Sequence, residues 1–175
     1  MGNDERQAVV EPWLRGTLTR VDPVVRAVLH ALELAREDAE RWTGDFTEAE
    51  MYARPVGLPS VAFHLRHIVQ SLDRLLTYAE GDQLDDTQLH ALRSEMRDTS
   101  TSNDVREEFA AGLQTSANRV RGFAPAQFGE ERGVGRRLLP STVGGLLVHC
   151  ADHTQRHSGQ MVTTAKVILA GRGDV

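Results

Sequence analysis

A single cysteine, Cys150, stands in the 175-residue chain, which excludes an internal disulfide framework and fits a reducing compartment. Long apolar runs are missing too: none approaches the roughly 18 residues needed to span a bilayer, so no membrane helix is expected. The beginning of the chain, MGNDERQAVVEPW, lacks the basic start and apolar centre of a secretory signal, and the expected location is cytoplasmic. Positive charge is scarce. Lys plus Arg number 20 against 25 Asp plus Glu, for a net charge of -5, so the concentrated basic face that nucleic acid requires is absent. The one dense basic cluster, Arg132, Arg136 and Arg137, is flanked by Glu130 and Glu131 and reads as a solvated loop. No segment shows persuasive period-2 alternation, and strands are not expected.

What is present is helical. Residues 1–175 suit one domain, with 1–20 as an N-terminal extension. Trp13, in EPWLRGT, is expected to pack across one end of the domain or against a dimer partner. Asp22-Pro23 starts a first amphipathic helix whose apolar positions run from Val24 to Trp42 and which stops near Gly44. Thr47 to Glu50 has capping-box spacing and predicts a short helix before Pro55, Gly57 and Pro59. Ser60 caps a second major helix that Gly81 ends. From 82 to 103 the chain turns polar and reads as a long crossover, with a short helix around Gln88 to Met96.

A third major helix is predicted from about Asp104 to Arg121, and Gly129 to Gly135 is expected as a loop or short irregular hairpin. Leu139-Pro140-Ser141 repeats Leu58-Pro59-Ser60 and is read as the start of a fourth helix reaching about Ala170. The pattern predicts an all-α, single-domain four-helix bundle with a long crossover between the second and third major helices.

The stretch HCADHTQRHSGQM, from His149 to Met161, carries the chemistry. On a helical wheel the inward stripe is Val143, Leu146, Cys150, Met161, Thr164 and Ile168, and His153 and His157 are placed within it. Histidines four apart on one face can share a metal ion, and two neutral imidazoles buried together favour one. His149 falls at the edge and reads as rim. Thr154 follows His153 where a zincin protease needs Glu, so that mechanism has no general base. Cys150 reads as a small buried hydrophobe. A third ligand must come from another helix. The second helix offers His64, nearer the apolar centre, and His67, on the flank; a site away from the central axis would favour His67. His30 and His90 have ordinary boundary or surface readings.

Two segments, SVAFHLRHIVQSLD (Ser60 to Asp73) and HCADHTQRHSGQ (His149 to Gln160), resemble the second-helix and last-helix elements of the DinB-like superfamily. These are small metal-binding four-helix proteins that include bacillithiol- and mycothiol-dependent transferases. The resemblance implies a three-histidine site of His67, His153 and His157 holding nickel or zinc with positions open to water or substrate. It leaves His64, His149, Asp152 and Gln160 as supporting or reserve groups, and Gly159 as a point of close packing. It also implies a small-molecule substrate and a homodimer. The function expected is a metal-dependent hydrolase or a transferase of a low-molecular-weight thiol, which an open metal position would activate. The alternative is a non-catalytic metal or small-molecule binding module of a stress response.

Overall fold

The computed structural model describes residues 10–94 and 100–172. Among the described residues there are six α-helices: α1 (Pro23–Thr43), α2 (Glu48–Tyr52), α3 (Val61–Glu80), α4 (Asp86–Ser94), α5 (Ser102–Val120) and α6 (Val143–Gly171). Between α5 and α6 an antiparallel hairpin pairs β1 (Glu131–Val134) with β2 (Leu139–Thr142) in the register Glu131↔Thr142 to Val134↔Leu139. This corrects the expected four-helix bundle. The architecture is an all-α core of six helices with a small β-hairpin attached. The first nine residues of the N-terminal extension, and positions 95 and 96 of the short helix expected in the crossover, lie outside the described residues.

Local chemistry accounts for the helix ends. Asp22 accepts a hydrogen bond from the Val24 N–H and Pro23 opens α1. Thr47 with Glu50, and Thr101 with Asp104, form reciprocal capping boxes on α2 and α5. Ser60 caps α3, which ends where Gly81 turns left-handed at φ 97°.

The core lies among α1, α3, α5 and α6: α6 packs on both α1 and α3, and α5 on the same two. Ile68, Leu72 and Leu76 on α3 are at most 1% exposed, and each such side chain contributes about 1.5–3 kcal/mol by leaving water. The α5 stripe buries Val105, Phe109, Leu113 and Val120. Polar ties complete the frame. Arg119 of α5 binds Asp73 at 2.6 Å and Glu80 at 2.7 Å on α3, and Gln88 of α4 donates to Asp73 and Thr77 of α3.

The hairpin was illegible by periodicity because each strand has four residues and neither alternates between core and solvent. Its role is to start α6. The Val143 and Gly144 N–H groups donate to the carbonyls of Glu130 and Phe128, and the Gly145 N–H donates to the Thr142 hydroxyl, which satisfies donors that a helix start leaves without partners. Gly144 permits this approach, since a Cβ there would lie 3.0 Å from the Phe128 carbonyl oxygen. The apparent repeat of Leu-Pro-Ser therefore dissolves: Ser60 is a helix cap, whereas Leu139-Pro140-Ser141 is strand and Thr142 is the cap. Arg132 is not merely solvated, because its Nε donates to the Ala79 carbonyl at 2.8 Å and anchors the hairpin to α3. Trp13 is 62% exposed and donates to Glu11, so among the described residues it is not packed across an end of the domain. Among the described residues no helix is long and apolar enough to cross a membrane.

Candidate metal centre

Helices α3 and α6 run antiparallel, with Thr164 donating to the Pro59 carbonyl and, further along, His157 facing His64 and His153 facing His67. That alignment converts two pairs of histidines, remote in sequence, into one cluster. The rings of His67, His153 and His157 form a triangle with centroid separations of 4.3 Å (67 to 157), 4.5 Å (153 to 157) and 5.0 Å (67 to 153). Each residue offers one ligand nitrogen, and these nitrogens lie within 4.8 Å of one another. All three side chains are half-buried: the cluster sits on the flank of the α3–α6 interface rather than in the core.

This placement corrects the wheel. The buried line of α6 runs through Cys150, Thr154, Ser158, Met161 and Ala165, and the two histidines stand beside it. The stripe drawn from Cys150 to Met161 leaves out Thr154 and Ser158, small enough to sit at the interface, and their spacing of four and eight from Cys150 was the available signal. On α3 the wheel ranked burial correctly, with His64 1% exposed and His67 half-buried. It is the flank position that brings His67 to the α6 pair.

The electrostatics suit ligation. His153 is held at about 4, first by burial and then by the charges its neighbours His157 and His67 would carry; His64 is lowered to about 4 by the same causes in the same order. Both imidazoles are therefore neutral at pH 7 and keep a nitrogen lone pair. Nδ1 of His153 is buried without a hydrogen-bond partner among the described residues, an unfavourable state that a coordinated cation would relieve. The residues present thus fit a divalent ion with imidazole preference.

Around the triangle, His64 places Nδ1 3.3 Å from Nδ1 of His157, one of the two donating to the other. Phe63 stacks on His67 at 5.2 Å and 17°. Sequence reasoning missed Phe63, although its position four before His67 puts it on the same helix face. His149 is exposed, its ring 5.7 Å from that of His153, with Nδ1 3.8 Å from Asp152. Asp152 is exposed and accepts from Arg156 at 2.7 Å. Gln160 is exposed on the rim of a cavity that His64 also lines. Cys150 is fully buried and its thiol is pushed up to about 12 by desolvation, which disqualifies it as a nucleophile near neutral pH. His30, buried on α1, contacts the Thr17 hydroxyl, and His90 is exposed on α4; neither is part of the histidine group.

No curated protein matches the sequence. The model of the DinB superfamily matches residues 31–161, a span that contains both histidine-bearing helix segments and three-quarters of the chain, and the protein belongs to that superfamily.

Proposed function

We propose that the protein is a metal-dependent enzyme in which His67, His153 and His157 hold a divalent ion, nickel or zinc, for reaction of a water or a low-molecular-weight thiol with a small-molecule electrophile. The observation that carries this reading is the convergence of three histidine nitrogens within 4.8 Å. When bound, such an ion supplies a Lewis acid that makes a water or thiol nucleophilic near neutral pH. The chain's own groups provide the setting. Burial keeps His153 in the neutral, ligating form, Phe63 fixes the plane of the His67 ring, and His64 steadies His157 through the 3.3 Å contact between their Nδ1 atoms. No protein nucleophile is required, consistent with the inert Cys150. His149 and Asp152 form the outer rim.

Metal-edge X-ray absorption on protein purified without chelator reads the element and its ligand set together, with three imidazoles expected. Turnover is then assayed with thiols plus model electrophiles and with ester and amide panels. Metal held by three imidazoles with no turnover in any panel would replace the enzyme reading with that of a binding module.

A further inference from the structure

We propose that the cavity between the start of α3 and the second half of α6 is the substrate pocket of this site, and that it takes a small ligand bearing a carboxylate. The proposal deepens the metal-enzyme reading and rests on it. The cavity has a volume of about 330 Å³, at the small end of the range for ligand sites. Leu58 and Pro59 form its apolar side. His64 joins it to the histidine cluster: this side chain is 1% exposed, lines the cavity, and meets His157 through Nδ1 while its Nε2 has no partner among the described residues.

Gly159 gives a second, independent sign. Glycine inside a helix costs about 1 kcal/mol relative to alanine, and close helix packing was the expected reason for it. A Cβ at Gly159 would meet nothing within 4 Å, so no helix crossing requires the glycine. Its missing side chain instead leaves room on the cavity wall.

The polar lining selects the ligand. The hydroxyl protons of Thr163 and Thr164 are committed to the carbonyls of Gly159 and Pro59. The side-chain donors left for a ligand among the described lining residues are the Arg156 guanidinium and the Gln160 amide. Among the described residues Arg156 is the only formally charged group in the lining. Its pairing with Asp152 joins two side chains more than half exposed, a weak arrangement that an arriving carboxylate can displace, and the planar guanidinium matches a carboxylate through two parallel hydrogen bonds.

The test is a titration of the zinc-loaded full chain with butyrate and with its neutral counterpart butanamide, followed by amide NMR. Butyrate should shift the resonances of Gly159, Gln160 and Thr163 and bind about tenfold more tightly than butanamide, the usual advantage of a charge-assisted contact. Arg156→Gln should reduce butyrate to the level of butanamide while zinc content stays at wild type. Gly159→Leu, which favours the helix, should block both ligands. Equal binding of the two ligands, or undiminished binding to Gly159→Leu, would overturn the proposal. So would loss of the butyrate shifts on chelation of the zinc, because the carboxylate would then be a metal ligand rather than an occupant of the cavity. A chain that takes up no zinc yet still binds butyrate at Gly159 would refute the metal-enzyme reading and leave the carboxylate site supported.

Discussion

Replacing His157 by alanine should reduce both the stability gained from metal and the stability lost in acid. The cluster shares this residue, which lies 4.3 Å from the His67 ring, 4.5 Å from the His153 ring and 3.3 Å, Nδ1 to Nδ1, from His64. At a free metal concentration about 100 times the dissociation constant, an ion bound only by the folded state stabilises it by about 2.7 kcal/mol. In a chain of this size each kcal/mol moves the thermal midpoint by about 2–4 °C. Zinc or nickel should therefore raise the wild-type midpoint by roughly 5–11 °C, and that of His157→Ala by far less.

The loss in acid concerns the metal-free chain. His64 and His153 are lowered from 6.5 to about 4 in the folded chain, so between these values the unfolded chain holds more protons and stability falls as the pH falls. One imidazole held in this way costs about 2 kcal/mol at pH 5; solvent access to the half-buried His153 screens its share to about 1 kcal/mol. At both residues burial is the first cause and His157 the second. Metal-free His157→Ala should therefore lose less stability between pH 7 and pH 5 than metal-free wild type. Scanning calorimetry at both pH values, with metal and with chelator, measures the two effects. A variant that keeps the full metal shift, or one that is more acid-sensitive than wild type when metal-free, would refute the reasoning.

Cys150, buried with its thiol near 12, should resist an aromatic disulfide reagent at pH 8 in the native protein and react fully in urea; rapid native labelling would contradict its assignment to the core. Gly112→Ala would place a Cβ 2.5 Å from Val69 Cβ and should destabilise the chain by about 1–3 kcal/mol in urea titrations, with Val69→Ala restoring part of the loss. Ser60→Ala removes the oxygen that accepts the Phe63 N–H. It should cost about 1 kcal/mol and speed amide exchange at Phe63, in the turn that leads into His64 and His67; unchanged exchange would show that the cap is dispensable.

The contrast between α3 and α6 shows which parts were legible. Ser60 and Gly81 bound α3 because capping oxygens and a left-handed glycine act within a few residues of the chain. The same holds for Asp22-Pro23 and for the capping box of Thr47 with Glu50. The pairing of His153 with His157 was equally local, since four residues make about one helical turn. The hairpin was legible only as one alternative to a loop over 129–135, and its second strand was read as the start of the last helix, because two four-residue strands carry no core-facing alternation. The true spine of α6 was not legible, since it passes through two polar residues, Thr154 and Ser158, that hydrophobic patterning ignores.

The sequence by itself determined the start of α1, both ends of α3, the apolar faces of α1, α3 and α5, and that two histidines share one side of α6. Tertiary structure decided how His67, already named by the resemblance, stands against the α6 pair with His64 beside His157, that the cluster lies on a flank and not in the core, and that Gly159 opens toward a cavity instead of a neighbouring helix. Helical spacing sets the angle between side chains on one helix; the rotation of α3 against α6 depends on how their two surfaces pack, and no single segment encodes it.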